Sequence, residues 1–118
     1  MEWNEYLTLI DEAYALPPQA AEARLLQLDS ACVQEYGKGS YTAGAMRNEL
    51  GAFYKGQGRF NEAAVCFREA LALFEATARP EDPACATTIN NLAGVLRLQA
   101  DAARRPSDRG RPAAPPPG

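Results

Sequence analysis

The sequence contains no histidine, so it lacks the side chain that most often serves as a general base or a metal ligand near neutral pH. Its three cysteines, Cys32, Cys66 and Cys85, include no pair at the CxxC spacing that is typical of zinc and redox sites. It has no glycine-rich phosphate-binding loop, and no serine or cysteine nucleophile is paired with a base. We therefore predict a protein that is not an enzyme, holds no metal or cofactor, and keeps its cysteines as reduced core thiols.

Long apolar runs are also missing from the sequence. No stretch approaches the roughly 20 consecutive apolar residues of a membrane span. The first residues, MEWNEYL, are acidic and are not followed by the apolar run of a secretory signal. The sequence thus predicts a cytoplasmic protein with no membrane partner.

Basic residues are scarce in the first third of the chain. Residues 1–36 contain seven acidic residues and one arginine, a net charge of −6, whereas residues 104–118 contain four arginines and one aspartate. The acidic part is most simply a solvated helix face, with contact to a basic partner as the alternative. Four arginines in a proline-rich setting are too few to indicate a nucleic-acid surface, so we predict no nucleic-acid partner.

Valine and isoleucine are few and alanine is abundant, which favours helices over strands. Apolar residues at steps of three and four predict five helices, over 3–16, 18–36, 41–57, 60–77 and 83–103. Turn and cap residues separate them at Pro17-Pro18, at Gly37 to Ser40, and at Arg79-Pro80 with Asp82-Pro83. Residues 104–118 contain no bulky apolar side chain, which predicts a disordered tail after one helical domain at 1–103.

The stretch Leu50–Ala70 indicates how the helices pack. Small and apolar residues share one face of each helix on either side of Gly58: Leu50, Gly51 and Tyr54, then Ala63, Phe67 and Ala70. The pattern predicts a helix–turn–helix unit in which small residues let the two helices approach closely. It recurs at a spacing of 42 residues, at Leu92, Ala93 and Leu96 and at Ala21, Leu25 and Leu28. A fixed period of this length predicts a stacked array of such units.

These residues resemble the tetratricopeptide repeat family, in the long-helix variant found in kinesin light chains and many bacterial proteins. The resemblance covers about residues 18–100, and it departs from the family at Arg47, where the family has tryptophan, and at Ala100, where it has the turn glycine. The first helix fits poorly, since Thr8, Leu9 and Glu12 fall at the positions of Leu50, Gly51 and Tyr54. This helix is either a cap or a slipped repeat. A plain five-helix bundle would show the same apolar stripes and is the alternative fold.

The resemblance implies an all-α array of antiparallel helix pairs, an α-solenoid fragment of about two and a half repeats. In the family, the first helices of the pairs line a concave groove that binds extended peptides or partner helices. Carried over by position, the groove residues are Asn48, Ala52 and Lys55 on the third helix and Thr87, Asn90, Gly94 and Arg97 on the fifth.

The chemistry of these groove residues suits a peptide. Asparagine amides can bond to a peptide backbone, small residues at 52 and 94 leave room for it, and Lys55 and Arg97 favour acidic groups. The resemblance therefore implies an interaction scaffold for a protein or peptide partner, with acidic ligands favoured. Alternatively, Asn90 and Asn91 are ordinary surface residues of the helix, or one of them bonds to a neighbouring helix.

The last predicted helix suggests a second function. Its apolar residues Ile89, Leu92, Val95 and Leu96 are followed by prolines rather than by an amphipathic helix that would cover their outer side. Because terminal repeats normally present a polar outer face, an apolar one indicates an interface. The alternative function is thus a self-associating fragment or capping piece of a larger array, with a homodimer through this helix and no free peptide ligand. Trp3 and Tyr6 are further candidates for partner contact, although Trp3 is most simply a cap on the core.

Overall fold

The computed structural model describes residues 1–79 and 81–104. Within these residues the chain forms no strand but five α-helices: α1 (Trp3–Tyr14), α2 (Pro18–Tyr36), α3 (Tyr41–Gly56), α4 (Phe60–Thr77) and α5 (Ala84–Arg104). The predicted all-α class is confirmed, and α2 and α4 have the predicted bounds. The α1 helix ends two residues earlier than predicted, and α5 begins and ends one residue later. The predicted disordered tail beyond Arg104 lies outside the described residues.

Local capping and turn residues set these helix ends. The Ser40 hydroxyl accepts a hydrogen bond from the backbone amide of Ala43 at 3.0 Å, which satisfies a free donor in the first turn of α3. Asp82 caps the first residue of α5 in the same way, at 2.8 Å. Gly37 and Gly58 adopt φ angles of +97° and +75°, a region that side chains disfavour, and each lies in the turn after a helix. The predicted turns at Gly37 to Ser40, at Gly58 and at Asp82 are therefore confirmed, whereas Pro80 lies outside the described residues.

Each helix packs mainly against the next one along the chain, and α3 makes a light additional contact with α5. The start of α1 meets the end of α2, where the Tyr6 hydroxyl donates to Glu35 at 2.7 Å, so these helices are antiparallel. The pairs α1/α2 and α3/α4 are followed by α5, which takes the position of a further first helix. This arrangement confirms the predicted repeat array of about two and a half units.

The α3 and α4 helices approach each other closely at two glycines of α3. A Cβ atom added to Gly51 would lie 2.8 Å from two ring carbons of Phe67, far inside ordinary contact distance. A Cβ atom added to Gly44 would similarly lie 3.1 Å from a ring carbon of Phe74. Leu50, Tyr54, Ala63 and Ala70 are buried beside these contacts. The close approach predicted for this helix pair is confirmed.

The α1 helix is a repeat helix whose register has slipped. Its buried residues Tyr6, Ile10 and Ala13 match, 40 positions later, the buried Met46, Leu50 and Phe53 of α3. The poor fit at a spacing of 42 therefore reflects a shorter segment between the buried positions of α1 and α2. Tyr6 is fully buried, so the prediction that it contacts a partner is wrong.

Arg47 explains one departure from the family pattern. Its guanidinium pairs with Asp29 of α2 at 3.1 Å and with Glu69 of α4 at 2.6 Å, so it joins the helices on either side of α3. Asp29 is only 7% exposed, and burial raises the pKa of its carboxyl while Arg47 opposes that effect. At position 47, ion pairs of an arginine thus take the place of the aromatic packing of the family's tryptophan.

Candidate functional site

The first helices of the three units share one side of the molecule. The Tyr14 hydroxyl of α1 donates to the backbone carbonyl of Glu49 in α3 at 3.3 Å, and its ring lies 6.1 Å from that of Phe53. Side chains of α3 in turn bond to α5. We name this side the first-helix face and define it by Trp3 and Asp11 of α1, Ala45, Asn48, Glu49, Ala52 and Lys55 of α3, and Thr87, Asn90, Gly94 and Arg97 of α5.

One end of the first-helix face contains a cleft of about 280 Å³. Aromatic residues Trp3, Tyr41 and Phe74 line it together with the polar side chains of Asn48 and Thr87. Trp3 is partly buried and packs against the core, as predicted for a core cap. It also lines this cleft. An apolar wall with a few polar groups suits a side chain of a peptide ligand.

The seven predicted groove residues differ in how freely they reach solvent. Five are exposed and two, Asn48 and Gly94, are half-buried; the exposed ones are Ala52, Lys55, Thr87, Asn90 and Arg97. The Lys55 ammonium lies 3.6 Å from the position that a Cβ of Gly94 would take. The space above Gly94 therefore holds the end of the Lys55 side chain, which brings a cation from α3 over α5.

Asn48 of α3 forms side-chain hydrogen bonds to α5. Its side-chain oxygen accepts hydrogen bonds from the Thr88 hydroxyl and the Asn91 amide of α5, both at 3.4 Å. Thr88 is fully buried, so this contact belongs to the packing between α3 and α5. Of the two alternatives for Asn90 and Asn91, the bond to a neighbouring helix applies to Asn91, whose amide donates to Asn48 of α3, while Asn90 is exposed.

Charge is divided along the first-helix face. Lys55 and Arg97 give its far end positive charge. Near the cleft, burial raises the pKa of the Glu49 carboxyl, and the adjacent Asp11 carboxylate of α1 raises it further. The Asp82 carboxylate accepts a hydrogen bond from the Tyr41 hydroxyl at 3.1 Å in the same region. The face is therefore acidic at one end and basic at the other.

Sequence reasoning missed the acidic end. Glu49 and Asp11 lie 38 positions apart in the chain, and they approach only because α1 packs beside α3 in its slipped register. The 42-residue comparison matches equivalent positions of α1 and α3 and predicts no contact between the two helices, so it did not identify this pair.

The outer side of α5 differs from the predicted self-association surface at one residue. Ile89 and Leu96 are exposed, by 49% and 38%, and Leu92 is partly buried against the core. Val95 is fully buried, because it lies on the side of α5 that packs into the core. The prediction that Val95 contributes to an external interface is therefore wrong.

The cysteines lie in or near the core, as predicted. Cys32 and Cys66 are buried, Cys85 is half-buried, and all three are free thiols. Burial raises the pKa of Cys32 and of Cys66 to about 11, so little of either is the reactive thiolate near neutral pH. Within residues 1–79 and 81–104, no three cysteine or carboxylate side chains cluster as metal ligands would. No helix in that part of the chain has the length and apolar character to cross a membrane.

Comparison with known proteins supports the repeat interpretation. A family model described as tetratricopeptide repeat matches residues 41–104, which contain α3, α4 and α5. No match was found among curated proteins or among solved structures. The matched residues make up more than half of the chain and include the contact between Gly51 and Phe67. The chain belongs to the tetratricopeptide repeat family.

Proposed function

We propose that the protein is a non-catalytic interaction module whose first-helix face binds an extended peptide or a partner helix. Tetratricopeptide repeats are generally protein–protein interaction modules and typically non-catalytic scaffolds. The observation that supports this ligand class is the cleft beside Trp3 and Asn48, which continues into a row of exposed groove residues. The buried free thiols fit a role in the reducing cytoplasm.

The division of charge along the face favours one orientation of the ligand. Acidic side chains or a terminal carboxylate of the peptide pair with Lys55 and Arg97, whose amino and guanidinium groups are suited to carboxylates. An apolar side chain occupies the aromatic cleft, and a basic side chain lies near Glu49. Complementary charge of this kind contributes to specificity and to the rate of association more than to affinity.

A peptide array incubated with the full chain tests this function, followed by titration of the enriched peptides. We expect enrichment of peptides that combine an acidic cluster with an apolar residue. Lys55→Glu/Arg97→Glu should weaken their binding at least about tenfold, which is the effect of removing favourable charge contacts worth ~1.4 kcal/mol. The matched control is Lys38→Glu/Arg68→Glu, which reverses two exposed cations outside the first-helix face.

Two results would contradict the groove proposal. One is an array without enrichment above background. The other is enrichment that Lys55→Glu/Arg97→Glu and Lys38→Glu/Arg68→Glu reduce equally, because this pattern indicates a general charge effect. Ala52→Gln offers an independent check, since it adds uncharged bulk at an exposed position in the middle of the face and should weaken binding without disturbing the core.

A second candidate function is self-association through the outer side of α5. The exposure of Ile89 and Leu96 favours it, because large apolar side chains on a helix surface commonly mark an interface. A homodimer formed in this way makes the protein a structural component of a larger assembly, whether or not the first-helix face also holds a peptide.

A further inference from the structure

Six uncharged residues form a continuous row along the outer side of α5. They are all exposed and follow one another at alternating steps of three and four: Ala86, Ile89, Ala93, Leu96, Ala100 and Ala103. This spacing is that of the a and d positions of a coiled coil, over nearly three heptads. We name this row the α5 seam.

The same chain shows what this fold does with the corresponding side of a first helix. At a spacing of 42 residues, Ala86, Ala93 and Leu96 correspond to Gly44, Gly51 and Tyr54 of α3. All three of these α3 residues are buried, and both glycines lie against aromatic rings of α4. On α3 a helix therefore covers this side, whereas on α5 the described residues leave it exposed.

We propose that the α5 seam pairs with the α5 seam of a second copy in an antiparallel coiled coil, a proposal that rests on self-association as the second candidate function. The two-fold axis lies between Gly94 and Val95. In antiparallel pairing, an a residue of one helix shares a layer with a d residue of the other. Ala93 is then opposite Leu96 of the second copy, and Ile89 is opposite its Ala100.

Side-chain size argues for this register. Every large residue of the seam meets an alanine of the second copy, so the four central layers fill evenly and the two helices can approach closely. Only the two end layers, which pair Ala86 with Ala103, consist of alanine alone. A parallel pair would place Ile89 against Ile89 and Leu96 against Leu96, with empty alanine layers between them. A helix like α4 also fits poorly, because the ring that lies over Gly51 would be 2.8 Å from a Cβ at the position of Ala93.

The residues beside the seam are compatible with the same register. Asn90 of one helix lies near Arg97 of the other, where its side-chain oxygen can accept from the guanidinium. On the opposite flank Leu92 lies near Gln99 of the second copy. No two like charges meet at the closest flanking positions, so electrostatic repulsion does not oppose the pair.

Sedimentation equilibrium of the full chain over a wide concentration range tests the pairing. We expect a reversible dimer for the natural sequence. Ala93→Leu places leucine against leucine in two equivalent layers and should raise the dissociation constant at least about tenfold. Ala93→Leu/Leu96→Ala exchanges the large and small residues of those layers, so it should restore the dissociation constant to within about threefold of the natural value.

Ala76→Leu is the matched control, because it makes the same change at an exposed position of α4 and should leave the dimer unchanged. Far-UV circular dichroism verifies that each variant keeps its helices. A chain that stays monomeric at every concentration would overturn self-association altogether. A dimer that Ala93→Leu does not weaken, or that the exchange does not restore, would overturn the antiparallel seam while self-association still stands.

Discussion

Replacing Gly51 tests the packing on which the fold depends. Phe67, which lies against it, is only 1% exposed, so its ring cannot move aside without disturbing buried neighbours. A Cβ at residue 51 would meet three ring carbons at 2.8, 2.8 and 3.1 Å. Overpacking of this kind costs about 1–3 kcal/mol, whereas alanine in place of glycine in a helix contributes about 1 kcal/mol of stability.

The expected net effect of Gly51→Ala is a loss of about 1 kcal/mol in the free energy of unfolding, and Gly51→Leu should lose about 3 kcal/mol or more. Gly56 provides the control within the same helix, because nothing lies within 4 Å of a Cβ added there. Gly56→Ala should therefore raise the free energy of unfolding by up to about 1 kcal/mol. Gly44 has contacts of 3.1 Å and should fall between the two.

Urea denaturation followed by circular dichroism measures this series. Gly51→Ala/Phe67→Leu should lose less stability than the two single changes added together, since the smaller side chain makes room for the new methyl group. If Gly51→Ala stabilises the protein as much as Gly56→Ala, or if the two changes at 51 and 67 are simply additive, the close approach is not what limits residue 51.

Three further changes test the polar contacts. Arg47→Ala should cost about 1–3 kcal/mol near neutral pH, because it leaves the buried Asp29 carboxylate without its partner, and adding Asp29→Asn should recover most of that loss. Folding raises the pKa of Glu49, so the charged carboxylate destabilises the folded state. Glu49→Gln should therefore stabilise the fold near neutral pH. It should make no difference below the unfolded pKa of glutamate, about 4.3, where the carboxyl is neutral in both states. Glu22→Gln should destabilise the fold near neutral pH, because the Arg59 guanidinium and the Tyr54 hydroxyl lower the pKa of Glu22 by stabilising its carboxylate. The stability that these contacts contribute is lost as the pH falls through that lowered pKa. Urea denaturation at about pH 7 and pH 3 measures all three, and equal effects of Glu49→Gln and Glu22→Gln at neutral pH would contradict the electrostatic assignment.

The sequence predicted what depends on neighbouring residues and on the repeat. The ends of α2 and α4, the turn at Gly58 and the contact of Gly51 with α4 all follow from local spacing and residue size. Features that depend on where separate helices meet were not predicted. The tie from Arg47 to Asp29 and the approach of Glu49 to Asp11 arise only after the helices pack. Val95 was misplaced because an apolar stripe alone does not distinguish the core side of a helix from its outer side.

Because each helix packs mainly against the next one in the sequence, the fold also has a simple route of formation. Contacts between near neighbours close short loops, so the entropy cost of each step is small and folding of such chains is fast. Stability in such an array is a sum over adjacent units, and it decreases towards an end that has one neighbour only. The α3 and α4 helices each pack against a helix on both sides. Hydrogen exchange should consequently be slowest in α3 and α4, where opening requires both neighbours to separate.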